Sequence, residues 1–263
     1  MVDDMSHAPQ LRESACTPRS DGADPVARSL MTASPGGVDP SDSDGEPLVD
    51  QGGRPLGPRA IQTRARILEA TVALLDEKPM RDLRVIDIAR RIGSSPATFY
   101  QYFKDVEDVV LYLAREMSEI TSELVEVIGG DWTGRAGHER GQRLANLVID
   151  HWDRYAPVLR VRNNASDEGN LAFREVRMEA MMPLVDAFAA AIERAHVAAG
   201  PEIEGGNDWP GGRIHPISGA TALASVLERL AMYHVSIAEL GGSREHLVET
   251  IATMLQQMLA SRR

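Results

Sequence analysis

From Arg59 onward, apolar residues recur at intervals of three and four, and no stretch alternates with the period of two that a half-buried strand requires. The pattern predicts an all-α protein. Ile67, Leu68, Thr71, Leu74 and Leu75 make one face of a first helix that ends near Glu77 and Lys78, before Pro79. A second helical stretch holds Val85, Ile88, Ala89 and Ile92 and stops at Gly93, whose missing Cβ suits the left-handed turn of a tight helix-helix junction. A third starts at once. Ser95 is a good N-cap and Pro96 needs no amide at the first helical position, so ATFYQYF is expected to form a helix of about two turns. Downstream, Val109, Leu113, Met117, Ile120, Leu124 and Val127 predict one long helix of about 20 residues. GQRLANLVIDHWDRYA predicts another, and Phe173 to His196 a Met- and Ala-rich one. PEIEGGNDWPGG reads as a loop, and two last helices, about 216 to 240 and 243 to 261, are joined at Gly241 and Gly242 with Ser243 as the next N-cap.

Composition separates this helical body from what precedes it. Eight of the fifteen prolines and none of the twelve aromatics precede Arg59, so residues 1–57 are expected to be a disordered, acidic, Pro- and Gly-rich tail, because too little apolar surface is present to offset chain entropy. The tail is either a solvated extension or an acidic arm that shields the rest from wrong partners. The body is expected to divide into residues 58–104 and residues 105–263. Cys16, alone, can close no intramolecular disulfide, no apolar run reaches the 18 or so residues of a membrane span, and the acidic start VDDM is unlike a signal peptide. A cytoplasmic protein with no membrane partner is expected.

Charge changes the picture more. The net charge of −11 argues against nucleic acid as a partner, yet it is unevenly placed: residues 1–58 carry −6, residues 59–104 carry +4 and residues 105–263 carry −9. A compact basic island can dock on phosphate despite distant acids, since screening acts over about 8 Å. Within that island, Phe99, Tyr100, Tyr102 and Phe103 bring four aromatics into five residues. Phe99 and Phe103, at i and i+4, can anchor the helix, while Thr98, Gln101 and Tyr102 share another face with Tyr100 between the two. Such a helix can read base edges in a major groove about 12 Å wide, flanked by phosphate contacts. The candidate DNA-binding residues are Arg59, Thr63, Arg64, Ser95, Thr98, Tyr100, Gln101, Tyr102 and Lys104. An aromatic-rich core helix, in a protein-interaction module without sequence-specific DNA binding, is the alternative.

RARILEATVALLDEK at 64–78, followed by VIDIARRIGSSPATFYQYF at 85–103, resembles the DNA-binding domain of the TetR family of one-component transcriptional regulators. The resemblance covers about 50 residues closely and the rest in helical layout. The family usually has Thr or Ser where Arg84 stands, Val where Ser94 stands and a phosphate-binding Lys where Val106 stands, so Lys104 is expected to serve instead. The resemblance implies a homodimeric regulator, expected to be a repressor, on a palindromic operator with half-sites about 34 Å apart. It also implies a four-helix dimer interface made by the last two helices. Two stripes fit that role, Val226, Leu230, Tyr233 and Ile237 on one helix and Leu247, Ile251, Met254, Leu255 and Met258 on the other, although intramolecular packing would explain them too.

Between the two ends, Trp152, Tyr155, Phe173, Met178, Met181, Met182 and Phe188 suggest either a plain core or a cavity for a small apolar effector, of the kind the resemblance implies. Met178, Met181, Met182 and Phe188 do not all share one helix face. Asp150, His151 and Asp153 form a DHxD cluster that would suit a small metal-dependent enzyme, but no further His or carboxylate stands at ligand spacing. No phosphate loop, nucleophile elbow or CxxC is present, so neither an enzyme nor a cofactor or metal is expected. RVRNNASDEG, with Arg160, Arg162, Asn163 and Asn164, reads as a solvated turn whose charges could receive an anionic ligand head.

Overall fold

The computed structural model describes residues 49, 51–200 and 213–260. Among these residues it is all-α, with the nine helices α1 (Pro58–Glu77), α2 (Val85–Arg91), α3 (Pro96–Phe99), α4 (Val106–Glu116), α5 (Thr121–Ile128), α6 (Gly134–Asp167), α7 (Leu171–Ala199), α8 (Pro216–Glu239) and α9 (Arg244–Leu259). Most of the tail and the PEIEGGNDWPGG segment lie outside the described residues. The tail's end does not. Val49 and Pro55 form an antiparallel bridge just ahead of α1, so chain expected to lack structure is folded there, close to α3.

Three elements differ from the expected pattern. α3 has only four residues, since the chain turns again after Phe99 rather than completing a second turn. The expected long helix from Val109 to Val127 is broken into α4, a 3-10 turn at Met117–Ile120, and α5. Ser118 Oγ donates to Ala114 O at 3.0 Å and Ser122 Oγ to Glu119 O at 3.2 Å, back-bonds that bend a helix and that an apolar period does not reveal. α6 instead runs 34 residues, through Pro157 and through the RVRNNASDEG stretch, which is helix up to Asp167 rather than turn. Its buried Arg162 and Asn163 both hydrogen-bond to Glu228 of α8.

Two cores hold the molecule together. The first joins α1–α4, with Ile67, Leu74, Ile88, Phe99, Phe103, Val109 and Leu113, to Val158 and Ala165 of α6 and to Phe173 and Val176 of α7. The reader and the body therefore share one core, and α4 belongs to both. The second core fills the bundle of α5–α9. There α6 and α9 approach closely: a Cβ on Gly141 would stand 2.7 Å from Ala252 Cα. Asn170 fixes the α6–α7 corner, its Oδ1 accepting from the Ala172 and Phe173 amides while its Nδ2 donates to Glu107 of α4 at 3.1 Å. No helix among the described residues is long and apolar enough to cross a membrane.

Candidate functional site

Gly93 adopts φ 65°, and the Ser94 amide donates to Ala89 O at 2.9 Å, so the chain leaves α2 through the left-handed turn its glycine permits. Ser95 caps α3, its Oγ accepting from the Thr98 amide at 3.4 Å. Phe99 and Phe103 are buried, their ring centroids 5.9 Å apart, and this anchoring leaves Tyr100 53% exposed with Gln101 exposed beside it. Lys104 is exposed at the far end, and Arg59 is exposed in the first turn of α1. These four side chains, with Ser95 at the turn, make an outward polar surface on the basic island.

Other predicted contacts are engaged elsewhere. The Arg64 guanidinium lies 3.9 Å from the centroid of Tyr112 and 5.2 Å from that of Phe103, strapping α1 to α4 instead of facing outward. Burial pushes the Tyr112 phenol up, with Arg64 opposing it. Thr63 Oγ1 donates to Arg59 O at 2.9 Å, Thr98 Oγ1 lies 3.2 Å from Ser95 Oγ, and Tyr102 packs half-buried against the first core. One partner escaped the sequence reading: Gln51 donates through its amide to Gln101 O at 3.0 Å and through Nε2 to Tyr102 O at 3.2 Å. Nothing in the composition of a Pro- and Gly-rich tail signals such a contact.

Where a Ser or Thr cap is missing, Asp87 takes over at Arg84. Its Oδ2 accepts from Lys78 Nζ at 2.8 Å and from the Arg84 amide at 3.1 Å, and these bonds hold the carboxyl below its usual range. At α4, Asp105 Oδ1 accepts from the Asp108 amide and Asp108 Oδ2 from the Lys104 amide, both at 2.9 Å. Val106 is half-buried against the first core. Side chains of this segment thus fill the start of α4, and Lys104 is the cation beside it.

A cavity of about 80 Å³ opens among α5–α8 and the 3-10 turn, lined by Met117, Ile120, Leu124, Leu184 and Phe188 among others. Trp152 and Met181 line it too, as the sequence suggested. Phe173 does not, because it is fully buried in the first core, and Tyr155 packs beside the cavity with its ring 5.0 Å from that of His151. Met178 and Met182, four residues apart, lie exposed on the outer face of α7, whereas Met181 and Phe188, seven apart, face inward. The polar end consists of His151, Arg162 and Glu228; Arg162 stood among the charges expected to suit an anionic ligand head, while its association with His151 and Glu228 was not expected. Burial, with Arg162 and then Arg154 adding to it, lowers the His151 pKa to about 4, so its ring is neutral. Burial also lowers the Arg162 pKa, an effect that Glu228 opposes. The DHxD cluster does not converge: Asp150 and Asp153 turn outward to Arg244, Asp153 also meets His234 at 2.9 Å, and His151 turns inward. A wider cleft of about 420 Å³, between the end of α1 and α6, has many charged groups and contains the Arg160–Asp76 ion pair.

Residues 67–113 match the family description "Bacterial regulatory proteins, tetR family", and residues 122–262 match "Tetracyclin repressor-like, C-terminal domain". The chain belongs to the TetR family. It is a DNA-binding transcriptional regulator whose body follows the reader in one continuous helical array. The HTH-type transcriptional regulator BetI of Klebsiella pneumoniae is 31% identical over 98 residues, which are 37% of this chain and 48% of that protein, so the match spans about half of that relative. The fatty acid degradation regulator FadR of Bacillus halodurans superposes with a TM-score of 0.55 at 18% identity, over 80% of this chain and 100% of that one. A transcriptional regulator of Saccharomonospora viridis in complex with choline superposes at 0.56 with 21% identity, over 77% and 100%. At these identities the two structures share the fold.

In this TetR-family chain, α8 and α9 only partly present the stripes expected of a dimer interface. Leu247, Ile251 and Leu255 are buried in the second core of the protomer, because the close approach at Gly141 seats α9 on α6. Val226, Leu230, Ile237 and Met258 are half-buried, and Tyr233 and Met254 are exposed together with Val235 and Leu240.

Proposed function

We propose that this TetR-family protein is a homodimeric repressor that occupies a palindromic operator and leaves it when a small apolar effector fills the cavity beside Trp152. The observation that carries this reading is the position of Met117. It lines the cavity and also packs in the first core, directly after α4, whose Val109 and Leu113 are fully buried among the reader's residues. A ligand that pushes on Met117 through Ile120 therefore pushes on the element that carries α1–α3. At about 80 Å³ the cavity is smaller than the about 300–1,000 Å³ of small-molecule pockets, so a guest of that size has to widen it. Only a ligand that binds the widened arrangement more tightly can shift the equilibrium, by about 5.5 kcal/mol for a change from 1:99 to 99:1. Tyr100, Gln101 and Lys104 would then read or grip the operator, while the outer faces of α8 and α9 around Tyr233 and Met254 would pair two protomers.

Selection of genomic DNA fragments by the purified full chain tests the reading. Recovery of an inverted repeat, bound in its two halves by a dimer and released by apolar compounds, is the expected result. Enrichment of no common sequence would overturn it.

A further inference from the structure

Resting on the reading of the cavity as the effector site, we propose that the effector is an apolar acid: a hydrocarbon body with a single carboxylate, held at Arg162 and His151. Glu228 is already engaged. Its Oε1 accepts from Arg162 Nη2 and from Asn163 Nδ2, both at 3.1 Å, and its Oε2 accepts from Arg177 Nη2 at 2.8 Å. A cationic head would compete for a carboxylate that already serves two guanidiniums and an amide, and would meet the buried Arg162 charge.

Arg162, by contrast, has capacity left. Its Nε donates to Asn163 Oδ1 at 3.0 Å and its Nη2 to Glu228, while Nη1 has no acceptor among the described residues. His151 lines the same end and likewise makes no hydrogen bond among the described residues. A neutral imidazole offers one N–H, and a guanidinium nitrogen offers two, so a carboxylate can take a charge-assisted bond on each oxygen. The local charge agrees: two guanidiniums, Arg162 and Arg177, share one half-buried carboxylate, and Asp167, the further partner of Arg177, is largely exposed. The remaining wall, with Leu124, Ile128, Leu144, Val148 and Leu184, is hydrocarbon apart from Ser118 and Thr121 and suits a hydrocarbon chain. Anchoring the head at Arg162 directs the tail towards Met117 and Ile120, the segment that must move for the reader to respond.

Calorimetric titration of the purified 263-residue chain with decanoate, decanol and decyltrimethylammonium, each below its micellar concentration, compares one tail with three heads. Decanoate is expected to bind about tenfold or more tightly than decanol, and the cation weakest of all. His151→Gln should reduce that preference, and the paired change Arg162→Gln with Glu228→Gln, which removes opposite charges together, should erase it while decanol affinity stays unchanged. Equal affinity for decanoate and decanol, or tightest binding of the cation, would overturn the carboxylate assignment. Operator affinity measured on the same samples separates the two readings. If decanoate binds with the expected preference but leaves operator affinity unchanged, the cavity still selects acids and the effector role fails. If decanol or the cation releases the operator as well as decanoate does, the effector role stands and the carboxylate assignment fails. If none of the three binds, both fail.

Discussion

Lys104 and Gln101 stand three residues apart at the end of the recognition segment, both exposed, and physical chemistry gives them different tasks. An ammonium on a flexible stem neutralises a phosphate wherever one lies, so Lys104→Ala should weaken binding to all DNA alike and flatten the log-log salt slope by about one unit. An amide can pair with a base edge, so Gln101→Ala should relax preference at one operator position and leave the salt slope intact. Fluorescence anisotropy across a salt series, on operator and scrambled duplexes, separates the outcomes. Identical behaviour of the two variants would contradict this division. His151 makes the other residue-scale prediction. Its pKa is about 4 in the folded chain against 6.5 for an unperturbed ring, so between those values the unfolded chain binds a proton that the folded one does not. Stability at this site is complete above pH 6.5 and falls as pH drops towards 4, by about 3 kcal/mol at most. Denaturation of the wild type and of His151→Phe from pH 4 to pH 7 should show the variant's midpoint falling less steeply on acidification.

At the scale of elements, the informative features are breaks and close approaches. The apolar period continues without interruption from Val109 to Val127, yet the chain tightens into a 3-10 turn at Met117–Ile120, beside the cavity. Such an interruption within a helical run often marks a hinge, and here it lies between the cavity and the reader. The α6–α9 contact is built the opposite way, on the absence of a side chain. Gly141→Val should force the two backbones apart and cost roughly 1–3 kcal/mol by overpacking, measured as a lowered chemical-denaturation midpoint. A midpoint equal to that of the wild type would mean that α9 is not held by this contact.

At the scale of the whole molecule, the reader and the body are not two domains joined by a linker. Phe173 and Val158 of the body complete the core that begins with Ile67 and Phe99, and Asn170 meets Glu107 across the same seam. A shared core transmits displacement because close-packed interiors shift between discrete arrangements more readily than they deform. The proposed dimer belongs to this scale as well. Tyr233→Glu combined with Met254→Glu should dissociate it with little effect on protomer stability, because both residues are exposed in the single chain. Light scattering coupled to size exclusion would show a halved mass; an unchanged mass would place the interface elsewhere.

Much of this was legible in the sequence. The three-residue and four-residue spacing, the Gly93 turn, the Ser95 cap and the pair Phe99 and Phe103 act through neighbours a few positions away, so the order of residues carries their consequences directly. The charge of +4 in residues 59–104, within a total of −11, is local in the same sense and coincides with the block matched to the tetR-family model from residue 67 on. Other assignments depended on groups far apart in the chain. Arg64 became a strap because Tyr112 lies across from it, Leu247, Ile251 and Leu255 became core because Gly141 admits α9, and Arg162 is a paired buried cation only because Glu228 arrives from α8. Burial and pairing are decided by such long-range partners, which local periodicity does not specify. For that reason only the tertiary structure brought Arg162 together with His151 and Glu228 at one end of the cavity.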